Sequence, residues 1–155
     1  MKFLAPLIAV SDIERSKAFY KKYLNLDVEV DFGANVTLTG GLALQTLDTW
    51  REFIGDINIS FKGNAGELYF EEDDFEGFLQ NLDGLELVHP PVEHSWGQRV
   101  LRFYDPDGHI IEVGEKLTTV AIRFAESGMT APEIADRMDV REEYVQQWLA
   151  GSIAK

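Results

Sequence analysis

Phe103-Tyr104-Asp105-Pro106-Asp107-Gly108-His109-Ile110-Ile111-Glu112 decides the fold of this chain. Asp at the first, Pro at the second and Gly at the fourth position of Asp105–Gly108 predict a type I turn. The flanking runs, Gln98 to Tyr104 and His109 to Gly114, are apolar enough to be its strands. Upstream lie a strand-like run, Gly66 to Glu72, and a helix start, Asp73-Asp74-Phe75-Glu76. Phe75, Phe78, Leu79 and Leu82 follow at i, i+3, i+4 and i+7, the stripe of a helix that covers a core. A further strand, Leu85 to His89, completes a strand–helix–strand–strand–strand unit.

The same order appears in weaker form nearer the N-terminus. Phe3 to Val10 reads as a strand, and Ser11-Asp12-Ile13-Glu14 as a capping box with Ser11 as cap. Its counterpart, Asp73 to Glu76, lies 62 residues later. Phe19, Tyr20, Tyr23 and Leu24 supply the helical stripe, and Asp27 to Phe32, Asn35 to Thr39 and Gly41 to Leu47 supply three strands. The segments Thr46 to Ala65 and Pro90 to Gly97 read as long loops that could roof a site.

The chain has 155 residues and no cysteine, which excludes disulfides and thiolate chemistry. A formal charge of −13 argues against a nucleic-acid partner over most of the surface. No run reaches the roughly 20 apolar residues of a membrane span, and the expected location is cytoplasmic.

Val10 to Ser16 with Phe19-Tyr20, and Trp96-Gly97-Gln98-Arg99 followed by Asp105 to His109 and Glu112, resemble the vicinal oxygen chelate superfamily of glyoxalases, bleomycin-binding proteins, fosfomycin-resistance transferases and ring-cleaving dioxygenases. The resemblance spans residues 3 to 115 and implies an α+β fold: paired βαβββ modules, residues 1–47 and 66–116, forming an eight-stranded curled sheet within a 1–116 domain. It implies a homodimer and a divalent metal, Mg²⁺, Mn²⁺, Ni²⁺ or Zn²⁺, at positions filled here by Ala5, Gln45, Glu67 and Glu112. Ala5 has no donor, which leaves an all-oxygen set suited to hard cations.

Strand alternation alone puts Ile110 and Glu112 on the face opposite Ile111 and Val113. A carboxylate there needs a partner, and a metal, an arginine or a proton would each serve. Arg102, on the neighbouring strand, is the candidate partner or anion anchor. Glu67 and Glu112 are the candidate catalytic carboxylates. Arg102, Tyr69, His94, Trp50 and Trp96 are the candidate substrate-binding residues, whereas His109 reads as structural and His89 as a surface residue at a strand end.

Two functions remain open at this point. One is a lyase, isomerase or dioxygenase-type enzyme, lactoylglutathione-lyase-like or other, acting on a small oxygen-bearing substrate. The other is a protein that binds or sequesters a small antibiotic-type molecule without turnover.

Residues 117–155 fall outside the repeat and predict a three-helix extension. Thr119 to Ser127 is the first helix, Thr130 with Glu133 caps the second, and Asp139 with Glu142 caps the third. Gly128 to Val140 resembles a helix-turn-helix reader, but Glu142 and Glu143 open the presumed recognition helix and would repel phosphate, so DNA binding is the remote alternative.

Overall fold

The computed structural model describes residues 1–55 and 57–153; Asp56, in the first expected loop, and the last two residues of the expected extension lie outside the described residues. The chain forms two compact units, Met1–Ala65 with Tyr104–His109, and Gly66–Phe103 with Ile110–Lys155.

The first unit holds β1 (Leu7–Val10), α1 (Ile13–Leu24), β2 (Val28–Asp31), β3 (Asn35–Leu38), β4 (Ala43–Thr46) and α2 (Leu47–Ile54). Its four-stranded sheet runs β1-β4-β3-β2, with β1 parallel to β4 and the other pairs antiparallel. Val10, Tyr20, Val36, Leu38 and Leu44 are fully buried in it.

The second unit holds β5 (Glu67–Glu72), α3 (Phe75–Leu79), β6 (Glu86–Glu93), most of β7 (Arg99–Tyr104), β8 (Ile110–Glu115), α4 (Leu117–Glu126), α5 (Ala131–Met138) and α6 (Glu142–Ile153). Its sheet order is β5-β8-β7-β6, with β5 parallel to β8. Both sheets therefore repeat one connectivity, and the α+β fold of paired βαβββ modules stands as the sequence predicts. Leu101, Phe103, Ile111 and Val113 are buried on the face that takes α3, where the Phe78 and Phe103 rings lie 6.2 Å apart.

Several local expectations shift. Asp12, not Ser11, caps α1 by accepting from Arg15 N, as Asp74 caps α3 by accepting from Gly77 N. Ser11 is freed to donate through Oγ to Asp107 Oδ1 at 2.5 Å. The first long loop contains α2, and Trp50 sits on it. The helix α3 stops at Leu79, short of Leu82, with Gly77 inside it weakening propagation. Conversely β6 runs through Pro90-Pro91 to Glu93, so half of the second loop is strand. Because β6 is an edge strand and successive N–H groups point to opposite sides, only one of the two adjacent prolines can cost a ladder bond. Asp139 adopts the left-handed conformation (φ 53°) that closes α5 and so terminates one helix rather than starting the next.

The segment that decided the fold is also a packing anchor. Gly108 N donates to Asp105 O at 3.0 Å, closing the predicted turn. Asp105 Oδ1 accepts from Asp107 N and His109 N at 2.9 and 2.8 Å. Its Oδ2 accepts from Tyr20 Oη at 2.9 Å and meets His109 Nδ1 at 2.9 Å. Burial pulls the Asp105 carboxyl upward, but the bonds from His109 and Tyr20 prevail and hold it below the usual carboxylate range. Tyr20→Phe removes one of these four donors, so an equilibrium urea titration should show a loss of about 1.5 kcal/mol, typical of a bond to a charged acceptor.

The three last helices form their own core. Val120, Ala121, Ile134, Ala135, Met138 and Val145 are buried there, flanked by Phe124, Trp148 and Leu149. Thr130 and Glu133 make the predicted capping box. These helices belong to one compact unit with β5–β8. Among the described residues no helix is long and apolar enough to cross a membrane.

Candidate functional site

The ladder of the second sheet fixes which side chains meet. Tyr69 pairs with Glu112 and Glu67 with Ile110, so all four share one face, opposite Leu68, Phe70, Ile111 and Val113. Arg102 of β7 reaches across it. Its Nε donates to Glu67 Oε2 at 2.7 Å and its Nη2 to Glu67 Oε1 at 3.3 Å, a two-pronged grip. The same Nη2 forms an ion pair with Glu112 Oε2, an oxygen that is buried and accepts no bond of hydrogen-bond geometry. Arg102 Nη1 lies 3.4 Å from His89 Nε2.

His89 Nδ1 is 2.7 Å from the Pro90 carbonyl, which can only accept. The proton therefore belongs on Nδ1, and Nε2 turns its lone pair to the guanidinium. One arginine is thus ringed by two carboxylates and an imidazole.

A second group adjoins the first. Gln98, 6% exposed, donates through Nε2 to Tyr69 Oη (3.0 Å) and Glu115 O (2.9 Å), and accepts at Oε1 from Trp96 Nε1 (3.2 Å). The rings of His94 and Trp96 stack at 4.2 Å. Tyr69 and Trp96 are 48% and 37% exposed, so their faces are open to a ligand. Gly114 makes this arrangement possible: a Cβ there would lie 2.9 Å from Gln98 Nε2 and 3.2 Å from the Tyr69 ring.

Partial burial lowers the His94 pKa and the charge of Arg102 adds to the effect, which favours the neutral ring. Burial raises that of Tyr69, which keeps its proton and points it at Glu71 Oε1, 3.4 Å away. Glu67, Glu71 and Glu112 outnumber Arg102 on this face, with Lys116 near Glu71 as a further cation.

Six of the eight residues expected from the sequence therefore belong to the second sheet or its β6–β7 turn: Glu67, Tyr69, Arg102 and Glu112 on the strands, His94 and Trp96 in the turn. Gln45 and Trp50 belong to the first unit. Gln45 is buried, accepts from Asn35 Nδ2 at Oε1 (2.9 Å) and donates to Thr49 Oγ1. Ala5 precedes β1, and the ladder pairs Leu7 with Ala43 and Ala9 with Gln45. Matching Gln45 to Glu112 by ladder makes Leu7, not Ala5, the counterpart of Glu67; neither carries a donor.

Sequence reading missed His89 and Gln98. The proline pair hid the first by suggesting that the strand ended there. The second, just ahead of β7 and four residues before Arg102, was legible as its face-mate and was passed over because its role depends on Tyr69 from another strand.

Residues 3–118 match the family model "Glyoxalase-like domain". The chain belongs to the glyoxalase-like family. This glyoxalase-like chain is 41% identical to a solved protein of unknown function from Agrobacterium tumefaciens, covering 75% of its own length and 94% of that chain with a TM-score of 0.68. It is 27% identical over 128 residues to the uncharacterized protein YraH of Bacillus subtilis, covering 76% of its own length and all of the relative. A glyoxalase-related enzyme from Fulvimarina pelagi, 22% identical, shares the fold with a TM-score of 0.62 over 74% of this chain and 88% of that one.

Members of this superfamily typically use a divalent metal, and the glyoxalase-like chain can be tested for fit. Among its described residues no group of three or more His, Asp and Glu side chains is placed to hold one. The physical reason is Arg102, whose guanidinium engages the carboxylates of both Glu67 and Glu112. At about 4 Å and an effective dielectric near 20, two unit charges interact by roughly 4 kcal/mol, and a divalent ion would meet about twice that repulsion. The residues as they stand fit a guanidinium, not a metal ion.

Proposed function

We propose that this protein binds a small organic molecule, without metal and without turnover, on the Arg102–Tyr69–Trp96 face of its second sheet. The observation that carries the reading is the guanidinium of Arg102 between Glu67 and Glu112. It satisfies the carboxylates internally, which leaves the open aromatic surfaces of Tyr69 and Trp96 as the recognition elements. The negative balance of the face favours a ligand with a cationic or hydrogen-bond-donating group. A homodimer and a cytoplasmic location belong to the same proposal; exposed Phe3, Leu4 and Phe32 offer apolar surface for a second copy to cover.

A library of small organic cations, neutral aromatics and organic anions screened by thermal shift, with hits confirmed by titration calorimetry, tests it. Binding should favour cations, and Trp96→Ala and Tyr69→Ala should each weaken it at least about tenfold, as loss of one aromatic contact of ~1.5 kcal/mol predicts. Preference for anions, or indifference to both substitutions, would count against this face.

An enzyme reading rests on one feature. Glu112 Oε2 accepts no hydrogen bond, so a substrate C–H or O–H could give it a proton once Arg102 moves aside. Turnover of any screened compound that disappears in Glu112→Gln would favour that reading over the binder.

A further inference from the structure

The C-terminal helices touch the site at its aromatic end. The turn His94–Gln98 is closed by His94 N to Gln98 O (2.9 Å) and Gly97 N to His94 O (2.8 Å). Arg123 of α4 donates through Nη2 to the Gly97 carbonyl at 2.6 Å. Gly97 has φ +88°, and a Cβ there would lie 2.1 Å from Phe124 Cζ, so α4 is seated directly on the turn that carries Trp96. Beyond the ring opens a pocket of about 320 Å³ lined by Trp96, Gln98, Leu117, Met138, Asp139 and Val140. Four of these six come from the helical segment or its joining turn, outside the strands that hold Arg102.

We propose that this pocket is a second compartment of the ligand site, built by the C-terminal helices, and that it takes the flat apolar body of an organic cation. The inference rests on the binding function proposed above and extends it. Trp96 offers a ring held in place by the His94 stack, the Gln98 bond and the Arg123-anchored turn. Leu117, Met138 and Val140 supply the apolar wall, and Asp139, exposed at the end of α5, is the acidic member of the lining. An aromatic face beside a carboxylate selects positive charge over negative. The family model stops at residue 118, so Met138, Asp139 and Val140 lie outside the matched domain.

Thioflavin T, a flat organic cation, and anilinonaphthalene sulfonate, a flat anion, serve as paired probes on the full chain. We expect the cation to bind one to one and more tightly than the anion. Val140→Trp, which fills the pocket, should weaken the cation at least tenfold. Asp139→Asn keeps a residue that tolerates the left-handed conformation while removing the charge, and should weaken the cation severalfold while leaving the anion bound as tightly or more tightly. A circular-dichroism melt of each variant establishes that it is folded. Unchanged cation affinity in both variants, with loss in Tyr69→Ala, would overturn the helical compartment and leave the sheet-face binding function standing. Absence of cation binding by the unmodified protein would overturn the compartment as well. Retained dependence on Val140 and Asp139 with no dependence on Tyr69 would instead uphold the compartment and sink the sheet-face reading.

Discussion

Replacing Glu115 with leucine should destabilise the second unit by about 4 kcal/mol, within the 3–5 kcal/mol seen when one partner of a buried ion pair is removed. Glu115 is fully buried at the end of β8. Arg99 donates from Nε to Oε2 (3.0 Å) and from Nη2 to Oε1 (2.9 Å). Arg123 donates from Nη2 to Oε2 (3.0 Å) and from Nε to Oε1 (3.3 Å). One carboxylate thereby joins β7 to α4, and Arg99 also pairs with Glu76 at the start of α3. Guanidinium denaturation followed by far-UV circular dichroism would measure the loss.

The pH dependence follows from the same contacts. Burial alone would raise the Glu115 pKa, but the hydrogen bonds from Arg99 and Arg123 outweigh it and leave the value below the ordinary 4.5. A depressed folded-state pKa means that the unfolded chain binds the proton first as acid is added. The contribution is therefore complete above about pH 4.5, shrinks as pH falls below that value, and is gone once the folded-state pKa is passed. Glu115→Leu should flatten this acid limb. An unchanged limb would mean that other carboxylates govern acid unfolding.

Arg102→Ala should show the second large effect, a loss of about 3 kcal/mol near neutral pH. Its side chain is 24% exposed while that of Glu112 is 8% exposed, so the variant strands a nearly buried carboxylate without its counter-charge. Solvent reaching Glu67, 36% exposed, limits the cost to the lower part of the range for buried pairs. Adding Glu112→Gln to the variant should recover most of the loss, because the stranded charge is then gone. Millimolar Mn²⁺ should raise the melting temperature of Arg102→Ala and leave the unmodified protein unaffected, since only the variant frees Glu67, Glu112 and His89 from the guanidinium. Equal Mn²⁺ stabilisation of both proteins would refute the assignment of Arg102 as the resident cation.

The capping motifs, the Asp105–Gly108 turn and the apolar stripes are local signals, and each was legible because its chemistry acts over four residues or fewer. The repeat of these signals was enough to give two modules of one connectivity. The misreadings have local causes too. Ser11 and Asp12 both qualify as caps, and only the packing of Asp107 against Ser11 assigns the role to Asp12. Asp139 has the composition of an N-cap, yet Ala135 O takes its backbone N–H and closes α5 instead. Pro90-Pro91 ends a strand in any sequence reading, and only an edge position in the sheet lets the strand continue.

The face of Glu112 was readable from alternation, since a period of two needs no knowledge of the partner strand. Its occupant was not. A metal, an arginine and a proton all satisfy a buried carboxylate, and sequence alone leaves the three open. The choice fell to Arg102 because the ladder brings β5, β8 and β7 into register, so that one guanidinium spans Glu67 and Glu112. The same holds for the helical tail: its amphipathic pattern was written in residues 117–150, whereas its seat on Gly97 depends on Arg123 and Phe124 meeting a turn 26 residues upstream of Arg123. Local chemistry determines the elements of this protein, and long-range geometry determines which charges and rings those elements bring together.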